Sequence, residues 1–403
     1  MWFDETLVSK VRRETRIVVV GMLASPHLAR WLAAGRDCDA EILLFPSVPY
    51  RSVHPILDDV IRSDGPLKVS IHSGGGINPP IHSALQRFVP RSARARMLAH
   101  TIDTFGAELV HAVELQHAGY LTTQALKMVD VERRPALSVV NWGSDIYWFQ
   151  RRPWHRRQIR KVLSHAQCYS CECKRDVELA RAFGFTGAAF SPEPNCGGVS
   201  APTITQQSLI ERRSIAIKGY SSFVGRAHRL LLAWAVINPK LDGACLEIYS
   251  ASPLVRLIAR LVKLRNPHLA IISYPHGSLS SDGMWELLAR SRVYVGFSAS
   301  DGLSTSLLEA ISSGAIPIQT DSACTGDLKD QGFHIIDLNH GRPFAAVRTI
   351  SAVFSQPDSH NEGAKGNVER ARDLLRPETV SKRSESSLGS LIRWVDSNRR
   401  AQW

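Results

Sequence analysis

A chain of 403 residues, 44% apolar and 7% aromatic, is long for a single domain and too apolar to be disordered or fibrous, so two globular domains are expected. Its formal net charge of +12 favours an anionic partner, which could be nucleic acid, phospholipid or a phosphorylated small molecule. Its longest apolar runs, such as LLLAWAVI at 230–237, fall well short of the roughly 18 to 20 residues that a membrane helix requires.

The N-terminal stretch MWFDETLVSKVRRE carries acidic residues and no apolar core, unlike a secretory signal, and the cytoplasm is the expected location. The first predicted strand is RIVVVGML, 16–23, followed by SPHLARWLAAG, where Ser25 and Pro26 open a helix. Further apolar segments at 40–48, 67–76, 107–115 and 136–146 alternate with helical stretches, the pattern of a parallel sheet covered on both faces. Within this half, HSGGGINPPIHS at 72–83 either shapes a binding mouth or simply turns the chain. FVPRSARARML at 88–98 and RRPWHRRQIRKVL at 151–163 concentrate arginines. With Trp154, Ile159, Val162 and Leu163, the latter reads either as a solvated helix face or as a segment resting on anionic lipid.

Seven cysteines spread from Cys38 to Cys324 are an odd number, which points to a reducing compartment rather than a disulfide framework. Cys168, Cys171 and Cys173 cluster without a second ligand pair at metal spacing, so they are read as structural and no metal is expected. Residues 191–208 are rich in Pro, Gly, Ser and Thr and read as the interdomain linker. A second alternating series follows at 212–220, 245–251, 269–275, 292–300, 315–321 and 332–338. The organisation expected is therefore α/β, with an N-terminal Rossmann-like domain over 1–200, a second over 201–385, and a C-terminal helix from 386 to 403. Residues 356–386 read as a polar surface loop or a mobile helix. Leu388, Leu391, Ile392 and Trp394 or Val395 give the last helix an apolar side to pack on the N-terminal domain.

The most informative stretch is SASDGLSTSLLEAISSGAIPI, 298–318. A strand ends at Ser298, Gly302 frees the backbone, Ser304 can cap a helix from about Thr305 to Ser313, and Gly314 closes it. The amides of Leu303, Ser304 and Thr305 would then form an anion site suited to a diphosphate. Glu309 could hold a vicinal diol such as ribose and Asp301 a second hydroxylated group. The spacing alone serves equally a capped helix with solvent-facing carboxylates.

This stretch resembles the retaining family-four glycosyltransferases of GT-B fold, whose signature is two glutamates separated by seven residues in a strand, glycine loop and helix followed by a small residue and proline. The resemblance implies two doubly wound sheets facing across a cleft, with Asp301, in place of the first Glu, contacting the transferred sugar and Glu309 holding the ribose. ELVHAVELQHAGYL at 108–121 and VVNWGSDIYW at 139–148 look like the family's first-domain strands. Many members have a His where Trp142 stands, which leaves His117 and Asp145 as the acceptor-side candidates; a lone His is more often structural. IAIKGYSSFVGRAHR at 215–229 supplies Lys218 and Arg226 in the reverse of the family's order. These are either a phosphate clamp or ordinary surface cations.

The resemblance implies a metal-independent hexosyltransferase with a nucleotide diphosphate sugar as co-substrate and no cofactor. Its acceptor would be a glycan, a lipid-linked group or another cell-envelope component in polysaccharide biosynthesis; the arginine-rich segment at 151–163 would add peripheral contact at the inner face of the membrane. A nucleic-acid-binding protein would explain the charge, but helix-turn-helix, zinc-finger and aromatic-platform motifs are missing. A GT-B protein that only binds its ligand, or a sugar-nucleotide epimerase or phosphorylase, remains the alternative.

Overall fold

The computed structural model describes residues 14–72, 89–193, 207–374 and 376–401; most of the glycine loop at 72–83 and of the linker at 191–208 lies outside them. Among the described residues, thirteen strands form two sheets. The first contains β1 (Thr15–Gly21), β2 (Ala40–Pro46), β3 (Leu67–Ile71), β4 (Leu109–Val113), β5 (Ala136–Val140), β6 (Cys168–Ser170) and β7 (Ala188–Ala189), in the order β3-β2-β1-β4-β5-β6-β7. The second contains β8 (Ser214–Lys218), β9 (Cys245–Ala251), β10 (Ala270–Pro275), β11 (Ser291–Gly296), β12 (Ile316–Thr320) and β13 (Ile336–Leu338), in the order β10-β9-β8-β11-β12-β13. The pairs β1–β2, β1–β4, β8–β9 and β8–β11 are all parallel. Both sheets are thus of the doubly wound type, with strand order reversing beside β1 and beside β8.

Helices on both faces explain why the central strands are unbroken apolar runs rather than alternating ones. Ile17, Val18, Val19 and Val20 of β1 are all fully buried, as are Ile215, Ala216 and Ile217 of β8. The strands that the apolar pattern leaves out are β6 and β7, which have three and two residues; neither carries a run long enough to register.

The described residues divide into two compact units. One is drawn from Met1–Val113, His117–Ser138 and Ser384–Trp403, and the other from Glu114–Gln116 and Val139–Arg383. The last helix, Pro377–Ala401, belongs to the first unit from Ser384 on and buries Leu388, Leu391, Ile392 and Val395 there. Leu388 lies against Gly35, where an added Cβ would come within 2.6 Å of Leu388 Cδ2, and Trp31 Nε1 donates to Ser387 Oγ at 3.5 Å. This helix begins earlier than its apolar spacing suggests, because its first turns are polar. In the second unit, residues 358–374 form a helix with Ala364, Val368 and Ala371 buried. Trp234, on the helix Ala227–Ile237, is fully buried in that unit's core.

His111 on β4 is buried in the first unit, stacked on Trp31 with ring centroids 4.7 Å apart. Its Nδ1 lies 3.0 Å from Ser138 Oγ, and Nε2 has no hydrogen-bond partner among the described residues. Burial pushes its pKa from 6.5 down to about 3, so an imidazolium is not tolerated there. The unfolded chain takes up this proton near pH 6.5 and the folded chain only near pH 3. Between those values the unfolded state binds more protons, so stability is intact above pH 6.5 and declines as the pH falls. Lowering the pH from about 6.5 to about 5 should cost about 2 kcal/mol through this group. Urea unfolding at both pH values should show a shallower decline for His111→Gln than for the wild type; equal slopes would remove His111 as the cause.

Candidate active site

In open parallel sheets, ligands collect beyond the carboxyl ends of the strands where the order reverses. In the second sheet these are β8, which ends at Lys218, and β11, which runs into the loop Phe297–Ser304. The two ends meet through one ion pair. Lys218 Nζ donates to Asp301 Oδ2 at 2.7 Å and to Ser304 Oγ at 3.0 Å, with side chains only 14% and 22% exposed for Lys218 and Asp301. Burial, the largest single influence, opposes the charge on Lys218, but the Asp301 carboxylate, helped by Tyr294 and Tyr220, outweighs it, and the lysine pKa is raised. The second oxygen of Asp301 accepts the amide of Gly302 at 3.1 Å.

Ser304 precedes the helix Thr305–Ser312, and Gly314 just beyond it has φ +73°. Ser304 does not use its hydroxyl as a cap. It is drawn into a polar network instead: Ser304 Oγ lies 3.0 Å from Ser306 Oγ, which in turn receives Tyr249 Oη at 2.9 Å and lies 3.1 Å from Tyr294 Oη. Of the three amides predicted to form an anion site, that of Leu303 donates to Glu172 Oε2 at 3.1 Å. A carboxylate of the chain itself thus sits where an anionic group is expected to bind.

The turn after β5 approaches this loop closely. A Cβ on Gly143 would lie 2.0 Å from Cα and 2.3 Å from N of Gly302, and a Cβ on Gly302 would lie 2.0 Å from Glu172 Oε2. Ser300 Oγ donates to Ser144 Oγ at 3.2 Å. Arg175 ties the surroundings together, donating to Gly143 O at 3.1 Å, Ser322 O at 2.8 Å and Asp176 Oδ1 at 2.8 Å, with its guanidinium 4.1 Å from the centre of the Tyr147 ring.

The other predicted residues are placed as follows. Glu309 is half-buried on the helix Thr305–Ser312. Arg226 directs its guanidinium at the carbonyls of Ser222, Phe223 and Gly225, bracing its own loop, while its amide donates to Phe297 O at 3.0 Å. Asp145 is buried, and Oδ2 accepts the amides of Leu115 and Trp142, both at 3.1 Å. Its pKa is raised by burial first and by the Glu114 carboxylate second. That glutamate adopts φ +82° while buried, a conformation that costs a non-glycine residue about 1–3 kcal/mol and clusters at functional sites. His117, in the first unit, lies on the π-turn Leu115–Gly119. It is exposed, and partial desolvation first, then Arg91 and Arg94, hold it below the ordinary histidine pKa.

Tyr249, Tyr294, Ser306, Glu172 and Arg175 do not stand out in the sequence. Tyr294 alternates with Val293 and Val295 on β11 and reads as core; only Glu172 and Arg175, charges beside the short strand β6, hint at a turn. Cys173 and Cys324 are joined by a disulfide, a pairing hidden from the local cysteine cluster by a separation of 151 residues. With Asp176 they form the one group among the described residues able to hold a metal ion, their ligand atoms lying within 4.8 Å of one another. The sulfurs are bonded to each other, and the Asp176 carboxylate already accepts from Arg175 and Asn141.

Because the Lys218–Asp301 pair is mostly buried, removing one partner strands the other. Lys218→Met should lower the unfolding free energy by about 3 kcal/mol, and the double variant Lys218→Met/Asp301→Leu should recover much of it. Chemical denaturation of the four proteins of that cycle checks this; additive losses would mean that the pair is not coupled.

No family model matches the sequence, and no curated protein matches it. Solved structures do match its fold. Sucrose-phosphate synthase from Thermosynechococcus elongatus superposes with a TM-score of 0.66 at 12% identity, over 96% of this chain and 100% of that one. HepE from Anabaena, solved in complex with UDP, gives 0.63 at 12% identity over 93% and 100%. The lipopolysaccharide outer core galactosyltransferase WaaB gives 0.61 at 14% identity over 91% and 98%. With two doubly wound parallel sheets of seven and six strands and these likenesses, the chain has the GT-B fold.

Proposed function

We propose that the protein is a retaining, metal-independent glycosyltransferase that moves a hexose from a nucleotide diphosphate sugar to a glycan, lipid-linked or other cell-envelope acceptor, working in the cytoplasm at the membrane's inner face. The observation that carries this is the Lys218–Asp301–Ser304 cluster at the reversal point of the second sheet. The solved complexes of HepE with UDP and with UDP-glucose, on the same fold, support a nucleotide-sugar donor.

Departure of a nucleotide diphosphate leaves negative charge on its phosphate oxygens, while the anomeric carbon becomes cationic. Cations and amides already in place to meet this charge lower the barrier more than any other device open to such a site. In this reading Lys218, kept protonated by Asp301, meets the phosphates together with the amides at the start of the helix Thr305–Ser312. Asp301 accepts from a sugar hydroxyl and Glu309 from the ribose diol. Arg226 and Asp145 act as positioning groups, the first for its loop and the second for the turns after β4 and β5. His117 is kept on the acceptor side. Glu172 must release the Leu303 amide before a phosphate takes it, so donor binding includes the displacement of a carboxylate.

A Listeria monocytogenes structure described as a putative UDP-N-acetylglucosamine 2-epimerase also matches, with a TM-score of 0.55 at 12% identity. Analysis of the sugar product separates epimerisation from transfer.

Calorimetric titration of UDP, GDP and ADP without added metal should single out one nucleotide, with Glu309→Ala weakening it by about 100-fold, the worth of two good hydrogen bonds. Glu172→Gln should tighten the same nucleotide several-fold, and Asp301→Asn should reduce turnover. The reading fails if no nucleotide binds, or if Glu309→Ala binds as the wild type does.

A further inference from the structure

The helix Pro253–Arg265 presents an apolar stripe that nothing among the described residues covers. Val255, Ile258, Ala259 and Val262 face the core, while Leu254, Leu257, Leu261 and Leu264 are 48%, 61%, 43% and 78% exposed. At helical spacing these four leucines fall within an arc of about 80°. The neighbouring helix Ala227–Ile237 packs against it and exposes Leu232 and Val236, at 43% and 65%. A stripe of this kind on a folded domain marks an interaction surface.

The charges beside the stripe select the partner. Arg229, Arg256, Arg260, Lys263 and Arg265 are all exposed on these two helices, and neither helix contains an Asp or Glu. A second copy of this chain, docked about a two-fold axis, would set the same cations against one another. An anionic lipid surface instead takes leucines into the acyl boundary and cations among the headgroups, the arrangement of an interfacial amphipathic helix. The arginine-rich segment at 151–163 does not offer this, since Ile159, Val162 and Leu163 are buried and of its apolar residues Trp154 stands exposed.

We propose that the outer face of the helices Ala227–Ile237 and Pro253–Arg265 docks the protein on an anionic membrane surface. This gives a location to the membrane contact in the functional reading above. It is tested without donor or acceptor, so its failure is distinct from failure of the transferase assignment.

The full chain is sedimented with vesicles of phosphatidylcholine alone and of equimolar phosphatidylcholine and phosphatidylglycerol. Binding to the anionic vesicles alone is expected, weakening as salt rises from about 0.1 M to about 0.5 M. Leu257→Gln/Leu261→Gln should bind them roughly tenfold more weakly with an unchanged melting temperature, and Leu254→Gln/Leu264→Gln repeats the test should the first variant misfold. Equal binding to both vesicles, no binding, or full binding by the leucine variants overturns the proposal. So does a wild-type dimer in light scattering that the leucine variants turn into a monomer, which would make the face a self-association surface.

Discussion

A lysine and an aspartate, mostly removed from water, hold the second unit's polar site in order. Lys218 ends the strand on which the order of its sheet reverses, and Asp301 lies on the loop leaving the adjacent strand. Neither charge is tolerable alone in such surroundings. Each therefore fixes the other, and with it the direction of the Gly302 amide and the Ser304 hydroxyl. The tyrosine and serine hydroxyls behind them extend the same polar seam into the core. A site built this way carries a localised positive charge whose position is set before any ligand arrives.

The fold was largely legible because its central strands are buried on both faces. The central strands β1 and β8 register as apolar runs, whereas β3 alternates and β9 carries Glu247, and the glycine and serine punctuation around 298–318 marks a strand, loop and helix in order. β6 and β7 escaped because two or three residues carry no period. The helix at 358–374 and the first turns of the last helix were obscure for another reason: a helix that buries only a few small side chains looks polar along its whole length.

Within the candidate site, sequence names Asp301, Gly302, Ser304 and Glu309 on one continuous motif, and Lys218 on a separate strand. It does not show that Lys218 and Asp301 pair across 83 residues, or that Ser304 joins their network instead of capping its helix. What each side chain actually contacts was less legible. Arg226 has the chemistry of a phosphate ligand, yet its donors go to three carbonyls of its own loop. Asp145 has the chemistry of an acid or base, yet it holds two backbone amides. Residue type announces what a group could do, whereas the nearest unsatisfied backbone decides what it does. Glu172 shows the same principle: a carboxylate beside a cysteine cluster gains meaning only from the Leu303 amide 131 residues away in the chain.

The Cys173–Cys324 disulfide has a consequence for the chain as a polymer. It closes a covalent ring across 151 residues that contains all of the second sheet except β13, together with β7 of the first. In the chain-entropy account, a ring of that size restricts the unfolded ensemble by about 5 kcal/mol. A single protease cut anywhere inside the ring leaves both pieces on one molecule until the sulfurs are reduced, whereas a cut outside it releases a fragment at once. The pattern of fragments with and without reductant thus maps which backbone segments lie within the ring.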